Sequence, residues 1–189
     1  MTMGLRELKK QKTRKAISDM ATQLFIERGY ANITTAEIAE RAEVSLPTLF
    51  NYFPTKESLV FDEDAETEQK LVAAVIQRKK GQTVLKALLE AGLHFLDEIP
   101  ESHKKNFKKF MTLIESTPEL NSYSKQMWLR HEKALGAAIK KETKKKLTSA
   151  EAEAIARFVL DAYHRSLGVT NAKAHLKALF GILEHGWSE

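Results

Sequence analysis

Ser45, Leu46, Thr48 and Asn51 bring two hydroxyls, a carboxamide and an apolar side chain into one short segment. Those groups suit recognition, not bond-making. An asparagine carboxamide can pair with the edge of adenine, and Leu46 or the Thr48 methyl can touch a thymine methyl. Catalytic constellations are missing elsewhere in the sequence. The histidines are scattered at positions 94, 103, 131, 164, 175 and 185. His131-Glu132 opens an H-E-x-x-H pattern, but Leu135 stands where the second histidine belongs, so no zinc site follows. There is no G-x-S-x-G elbow and no glycine-rich phosphate loop. No enzyme activity, cofactor, metal or catalytic residue is therefore expected.

The elements that must carry these side chains are two short helices. Thr34 can accept from the first free N–H groups of one, and Glu37 can answer back in a capping box. Ile38, Ala39 and Ala42 give it an apolar side. Ser45 caps the second, with Pro47 in its first turn. Two short helices joined by a tight turn form a helix-turn-helix, whose second helix can enter the DNA major groove. Leu49 is expected to face inward, which leaves Ser45, Leu46, Thr48 and Asn51 for the groove.

Almost everything else reads as helix. Ile17, Met20, Ala21, Leu24 and Phe25 mark one face of a helix from about Lys10 to Arg28, stopped at Gly29. Thr55 is expected to cap a longer helix running through Leu71 to about Arg78, ended by Gly81. Larger amphipathic helices follow. One carries Leu85, Leu88, Leu89, Leu93 and Leu96 and closes at Ile99-Pro100, and another carries Phe107, Phe110, Met111 and Ile114. Thr117-Pro118 starts a third, and Thr148 with Glu151 is a second capping box. The expectation is an all-α chain of about nine helices with no sheet. Residues 1–56 would be a helix-turn-helix DNA-binding domain and residues 57–189 a helical ligand-binding and dimerisation domain.

Composition bounds these readings. At 43% hydrophobic the chain can bury a substantial core, and at 29% charged it is not a disordered polyelectrolyte. A net charge of +5 favours contact with a polyanion without deciding the fold. The absence of cysteine excludes disulfides, thiol catalysis and zinc fingers, and fits a reducing cytoplasm. No signal-peptide or membrane-spanning apolar run is present, so a cytoplasmic protein is expected.

Thr13-Arg14, the segment ERGY from Glu27 to Tyr30, TTAEIAERAEVS from Thr34 to Ser45 and NYFPTKESL from Asn51 to Leu59 recur together at fixed spacing. In these features the chain resembles the TetR family of bacterial transcription regulators, over roughly its first third. The resemblance implies a repressor that binds double-stranded operator DNA as a homodimer and is released by a small, largely apolar inducer. It matches Thr35, Thr48, Tyr52 and Lys56 to positions that hold DNA phosphates. With Thr34, Ser45, Leu46 and Asn51 these make the expected DNA-binding set. Phe50 stands where the family commonly has tyrosine, so it touches DNA through sugar or methyl groups or packs inside. The basic lead-in of Arg6, Lys9, Lys10, Lys12, Arg14 and Lys15 is expected to add phosphate or minor-groove contacts, the alternative being a solvated charged face at a frayed terminus.

For the second part, the resemblance implies dimerisation through the last two helices. Their apolar stripes carry Ile155, Val159 and Tyr163, then Leu176, Leu179, Phe180, Leu183 and Trp187. The same spacing also builds an intramolecular core. Candidate ligand contacts are His94, Phe95, Phe110, Met111, Trp128 and His131. Residues 50–64 resemble a subset of the family associated with acyl-type ligands. A helical protein-interaction module with a basic surface for an acidic partner would explain the charge and the helices, but not the composition of the second short helix.

Overall fold

The computed structural model describes residues 4–98 and 101–186, with the backbone alone for residues 101–105. Among the described residues there are nine α-helices and no strand. They are α1 (Leu5–Arg28), α2 (Thr35–Arg41), α3 (Leu46–Tyr52), α4 (Asp64–Ile76), α5 (Val84–Glu98), α6 (Glu101–Ser116), α7 (Pro118–Glu142), α8 (Ser149–Ser166) and α9 (Ala172–His185). The expected stop at Ile99-Pro100 and the last apolar position, Trp187, lie outside the described residues.

The chain forms two compact units. One comprises Met1–Asp64 with Lys109–Lys125, the other Ala65–Lys108 with Gln126–Glu189. Residues 1–56 all belong to the first unit, which continues to Asp64 because the segment after α3 folds back on it. Ser18 of α1 donates to the Leu59 carbonyl at 2.7 Å. Phe61 stacks on Tyr123, centroids 5.1 Å apart and planes 14° from parallel.

The expected long helix from Thr55 does not form. Thr55 and Ser58 instead exchange hydrogen bonds, each backbone N–H donating to the other's hydroxyl at 3.2 Å. That closes a single 3-10 turn at Glu57–Leu59, and the long helix starts only at Asp64. A reciprocal pair of side-chain bonds satisfies one turn as well as it starts a long helix, so the same residues fit either length.

In the first unit Ile17, Ala21, Leu24 and Phe25 are all buried on one face of α1, with Ile33, Ile38, Leu49, Phe53 and Leu59. The second unit buries Leu71 and Val75 of α4, Leu88 and Leu96 of α5, Leu135 and Ile139 of α7, Val159 and Leu160 of α8, and Leu176 and Phe180 of α9 in one cluster.

Gly92 sets the approach of α5 to that cluster. A Cβ there would overlap the Tyr163 ring and lie 3.0 Å from Leu176 Cδ2. The ring cannot swing aside freely. Its hydroxyl donates to the Leu88 carbonyl, and its face stacks on Phe180 at 5.9 Å. Gly92→Ala is therefore expected to lower stability. The overpacking cost of about 1–3 kcal/mol outweighs the ~0.5–1 kcal/mol that alanine returns in a helix. A urea midpoint equal to or above wild type would contradict this.

Candidate nucleic-acid interface

The geometry of the α2–α3 pair comes from its caps. Thr34 Oγ1 accepts from the Glu37 N–H at 3.1 Å and starts α2. Only that half of the expected capping box forms. The Glu37 carboxylate is taken by two guanidinium groups, Arg28 and, at 3.2 Å, Arg41. An ion pair with two cations outcompetes a neutral N–H for the same oxygen.

At the other end of α2, Val44 N–H donates to the Ala39 carbonyl at 3.0 Å and Glu43 N–H to the Glu40 carbonyl at 3.0 Å. This is a Schellman closure with Glu43 left-handed at φ 55°. Ser45 then caps α3, its hydroxyl accepting from the Thr48 N–H at 3.2 Å and lying 2.7 Å from the Thr48 hydroxyl.

Within α3 the faces separate as expected for a helix that must both pack and read. Leu49 is 1% exposed, whereas Leu46 is 39% and Phe50 41% exposed. Ser45 and Asn51 are exposed and Thr48 and Tyr52 half-buried. Phe50 thus resolves to the surface. Thr34 is exposed and Thr35 half-buried on the first turn of α2. The eight expected DNA-binding residues therefore lie on α2, α3 and the turns that flank them.

Lys56 is more constrained than a free phosphate ligand. Its Nζ donates to the Tyr30 carbonyl at 2.6 Å and stands 4.1 Å over the Tyr30 ring and 5.4 Å from the Phe25 centroid. Burial pulls its pKa below the usual lysine value, against the neighbouring charges of Glu57 and Glu119. The Tyr30 hydroxyl donates to Glu57 at 2.8 Å, and burial together with that bond pushes its pKa up. Burial alone would raise Glu57 as well. Bonds from its own N–H, Tyr30 and Thr55, and the charge of Lys56, reverse the balance and hold it low.

Arg14, expected among the phosphate contacts, is an internal brace. It donates to the Tyr52 carbonyl at the end of α3 and, at 3.4 Å, to the Asp62 carbonyl, with its guanidinium 4.3 Å over Phe53. The terminal carbonyls of a helix need donors, and a planar cation on an aromatic face fills that need. Arg6, Lys9, Lys10, Lys12 and Lys15 remain exposed, Lys15 pairing with Asp19 at 3.1 Å.

Asp62 sits half-buried below this brace, and burial, reinforced by Glu63, raises its pKa above 3.8. A carboxyl whose folded pKa is raised contributes stability at pH below its unfolded value. That contribution is lost as pH climbs through the folded value. Asp62→Asn is thus expected to raise the urea midpoint at pH 7 and leave it unchanged near pH 3. An equal gain at both pH values would show that charge is not the cause.

The family description "Bacterial regulatory proteins, tetR family" matches residues 17–62, the segment just described. An uncharacterized HTH-type transcriptional regulator of Bacillus subtilis, YvkB, is 31% identical over 132 residues, covering 66% of this chain and 68% of YvkB. The chain belongs to the TetR family. A putative mycofactocin biosynthesis transcriptional regulator of Mycobacterium tuberculosis, MftR, is 30% identical over 112 residues. The match covers 59% of this chain and 56% of MftR, so it spans little more than half the length of that relative. The crystal structure of Thermus thermophilus FadR, a TetR-family repressor in complex with lauroyl-CoA, superposes with a TM-score of 0.58 at 21% identity. It covers 93% of this chain and 95% of FadR, and so supports the TetR-like fold.

Other expected TetR-family positions fall differently. Val159, Leu176 and Phe180 are at most 2% exposed and belong to the second unit's own core. A side chain with no surface in one chain has none to offer a second. Ile155, Tyr163, Leu179 and Leu183 are half-buried. The large apolar side chains that α8 and α9 expose among the described residues are Phe158, 62% exposed, and Ile182, 55% exposed. The sequence carried a signal for them. Each is an apolar residue just outside the buried stripe, among charges such as Arg157, Asp161 and Glu184.

Among the candidate ligand contacts, His94 and Phe95 are on the open side of α5. His94 lies 3.2 Å from Glu98, and Phe95 is 46% exposed, so neither lines a core cavity. Their positions follow from Gly92 and Leu96, which turn the opposite side of α5 inward. Phe110 and Met111 are half-buried on α6. In the second unit His131 is 1% exposed and meets the half-buried Trp128 edge-on at 5.6 Å.

Proposed function

We propose that this chain is a DNA-binding transcriptional regulator of the repressor type. It would act as a homodimer and leave its operator when a small, largely apolar inducer binds. The observation that carries the reading is the division of α3. Leu49 anchors the helix, while Leu46, Phe50 and Asn51 stand in solvent on a segment seven residues long. Exposing two large apolar groups has no packing benefit, but it suits contact with thymine methyls and sugars in a major groove. Asn51 is assigned to adenine. Thr35, Thr48, Tyr52 and Lys56 are assigned to the flanking phosphates, which fix register without reading sequence, and Thr34 and Ser45 to the DNA-facing turns that start α2 and α3.

The second unit supplies the pairing. Phe158 and Ile182, with the half-buried Ile155, Tyr163, Leu179 and Leu183, form the face that a second copy would cover. Two α3 helices about 34–36 Å apart would then meet successive major grooves. An inducer with higher affinity for a dimer of the wrong spacing lowers operator affinity by the same coupling free energy. Trp128 and His131, together in the second unit, are the residues to probe for it.

Selection of bound fragments from a random duplex library tests the reading. A single enriched, two-fold related sequence is expected. On that sequence Asn51→Ala should cost about 1–3 kcal/mol and relax preference at one base pair. Lys56→Ala should weaken binding to every duplex and reduce the salt slope by about one unit. Failure to enrich any sequence, or intact binding in both variants, would overturn the assignment.

A further inference from the structure

The positive charge of this chain does not lie with its reading helix. Residues 1–64 carry nine Lys or Arg against ten Asp or Glu. Eight Lys and Arg stand instead in the short runs 78–80 and 140–146, accompanied there by one acid, Glu142. The structure brings the two runs together within the second unit. Arg78 donates to the Glu142 carboxylate at 2.8 Å and to the Glu142 carbonyl at 2.7 Å, and also to the Val75 carbonyl at 2.7 Å. This part-buried clamp neutralises both Arg78 and Glu142. What remains around it is Lys79, Lys80, Lys140, Lys141, Lys144, Lys145 and Lys146, all exposed. Lys140 donates to the Ser149 hydroxyl at 3.0 Å, a neutral partner. Of the acids on the first turns of α8, Glu151 is held by its cap with Thr148, and Glu153 lines a shallow groove with Lys133, Lys140 and Lys141.

Seven clustered ammonium groups repel one another and draw a polyanion. The chemistry of the cluster selects which one. Lysine is a point charge that meets phosphate without reading a base. Neither run itself exposes an aromatic or large aliphatic side chain: Ile139 and Leu147 pack on the second unit's core, and Ile76, 50% exposed just before the first run, is a single aliphatic side chain. One isoleucine gives a lipid surface little to hold, and no aromatic ring is there to stack on unpaired bases. We infer that this lysine surface is a second, sequence-independent contact for the phosphate backbone of duplex DNA, separate from α3. It adds salt-dependent affinity to that of the phosphate contacts assigned around α3, whereas α3 supplies the preference for sequence.

The test combines Lys141→Gln, Lys144→Gln, Lys145→Gln and Lys146→Gln in the full chain. All four side chains are exposed, and an unchanged circular dichroism spectrum and melting midpoint establish the fold. Fluorescence anisotropy against a random-sequence duplex is measured from 50 to 200 mM salt. The expected result is a salt slope smaller by about two to three units and an affinity at least about tenfold lower, with the preference for the selected sequence retained. Asn51→Ala should do the reverse, relaxing the preference at one base pair and keeping the slope. An unchanged slope in the quadruple variant overturns the inference while leaving the α3 reading intact. Loss of the slope in a chain that shows no sequence preference supports the inference and removes the α3 reading. Wild-type binding to phosphatidylserine vesicles in place of duplex would also overturn it.

Discussion

Lysine at both Phe158 and Ile182 is expected to give a folded chain that sediments as a monomer and binds its operator weakly. Both side chains are more than half exposed in the single chain, so their replacement removes nothing from the core. In a two-fold interface each appears twice. Burying a large apolar side chain is worth about 1.5–3 kcal/mol, and an unpaired lysine in its place costs more. The four sites together should weaken association by at least about 5 kcal/mol, a factor of several thousand in Kd. Operator affinity should fall with it, because each half-site is then bound alone. Val159→Ala is the counterpart: it should lower the melting midpoint without changing the oligomeric state. A double lysine variant that remains dimeric at the wild-type concentration would exclude this face.

The contrast between Phe158 and Val159 shows what a periodic pattern contains. Spacing of three and four identifies a buried face, and it found the right helices, because amphipathic period and cap chemistry are local. It does not say which chain supplies the cover. Val159, Leu176 and Phe180 were covered from within. The helix-turn-helix was legible for the same local reason, since Thr34, Ser45 and Pro47 are cap signals whose partners lie three residues away. Reach limited the rest. Arg14 finds the Tyr52 carbonyl 38 residues on, so its role was invisible to spacing, although Thr13-Arg14 recurs in the family resemblance. Glu37 looked like the second half of a box, but two distant-in-sequence or helical-neighbour cations claimed it. Glu43 gave no turn signal at all. A glutamate at φ 55° costs on the order of 1 kcal/mol, and the Schellman bonds on either side of it hold it there.

Phe25→Ala is expected to unfold the α2–α3 pair before any other described segment. Phe25 is 1% exposed near the end of α1, and its ring meets the Tyr30 ring at 4.9 Å beneath the Lys56 ammonium. Truncating a buried phenylalanine to alanine costs about 3–5 kcal/mol in lost burial and residual cavity. Whole-domain stabilities are only about 5–15 kcal/mol, so a unit this small has little left to lose. The damage should also spread through polar contacts. Tyr30 carries the carbonyl that Lys56 binds and the hydroxyl that Glu57 accepts, so a shift of one ring loosens both partners of the turn after α3. Amide exchange distinguishes this from a general loss of stability. Protection should collapse at Ile38, Ala42, Leu49 and Phe53, whose N–H groups close α2 and α3. It should persist longer in α8 and α9, whose core residues belong to the second unit's own cluster. Sequence-specific DNA binding should be lost with the α3 amides. Retained α3 protection in this variant would mean that the reading helix stands without its support from α1.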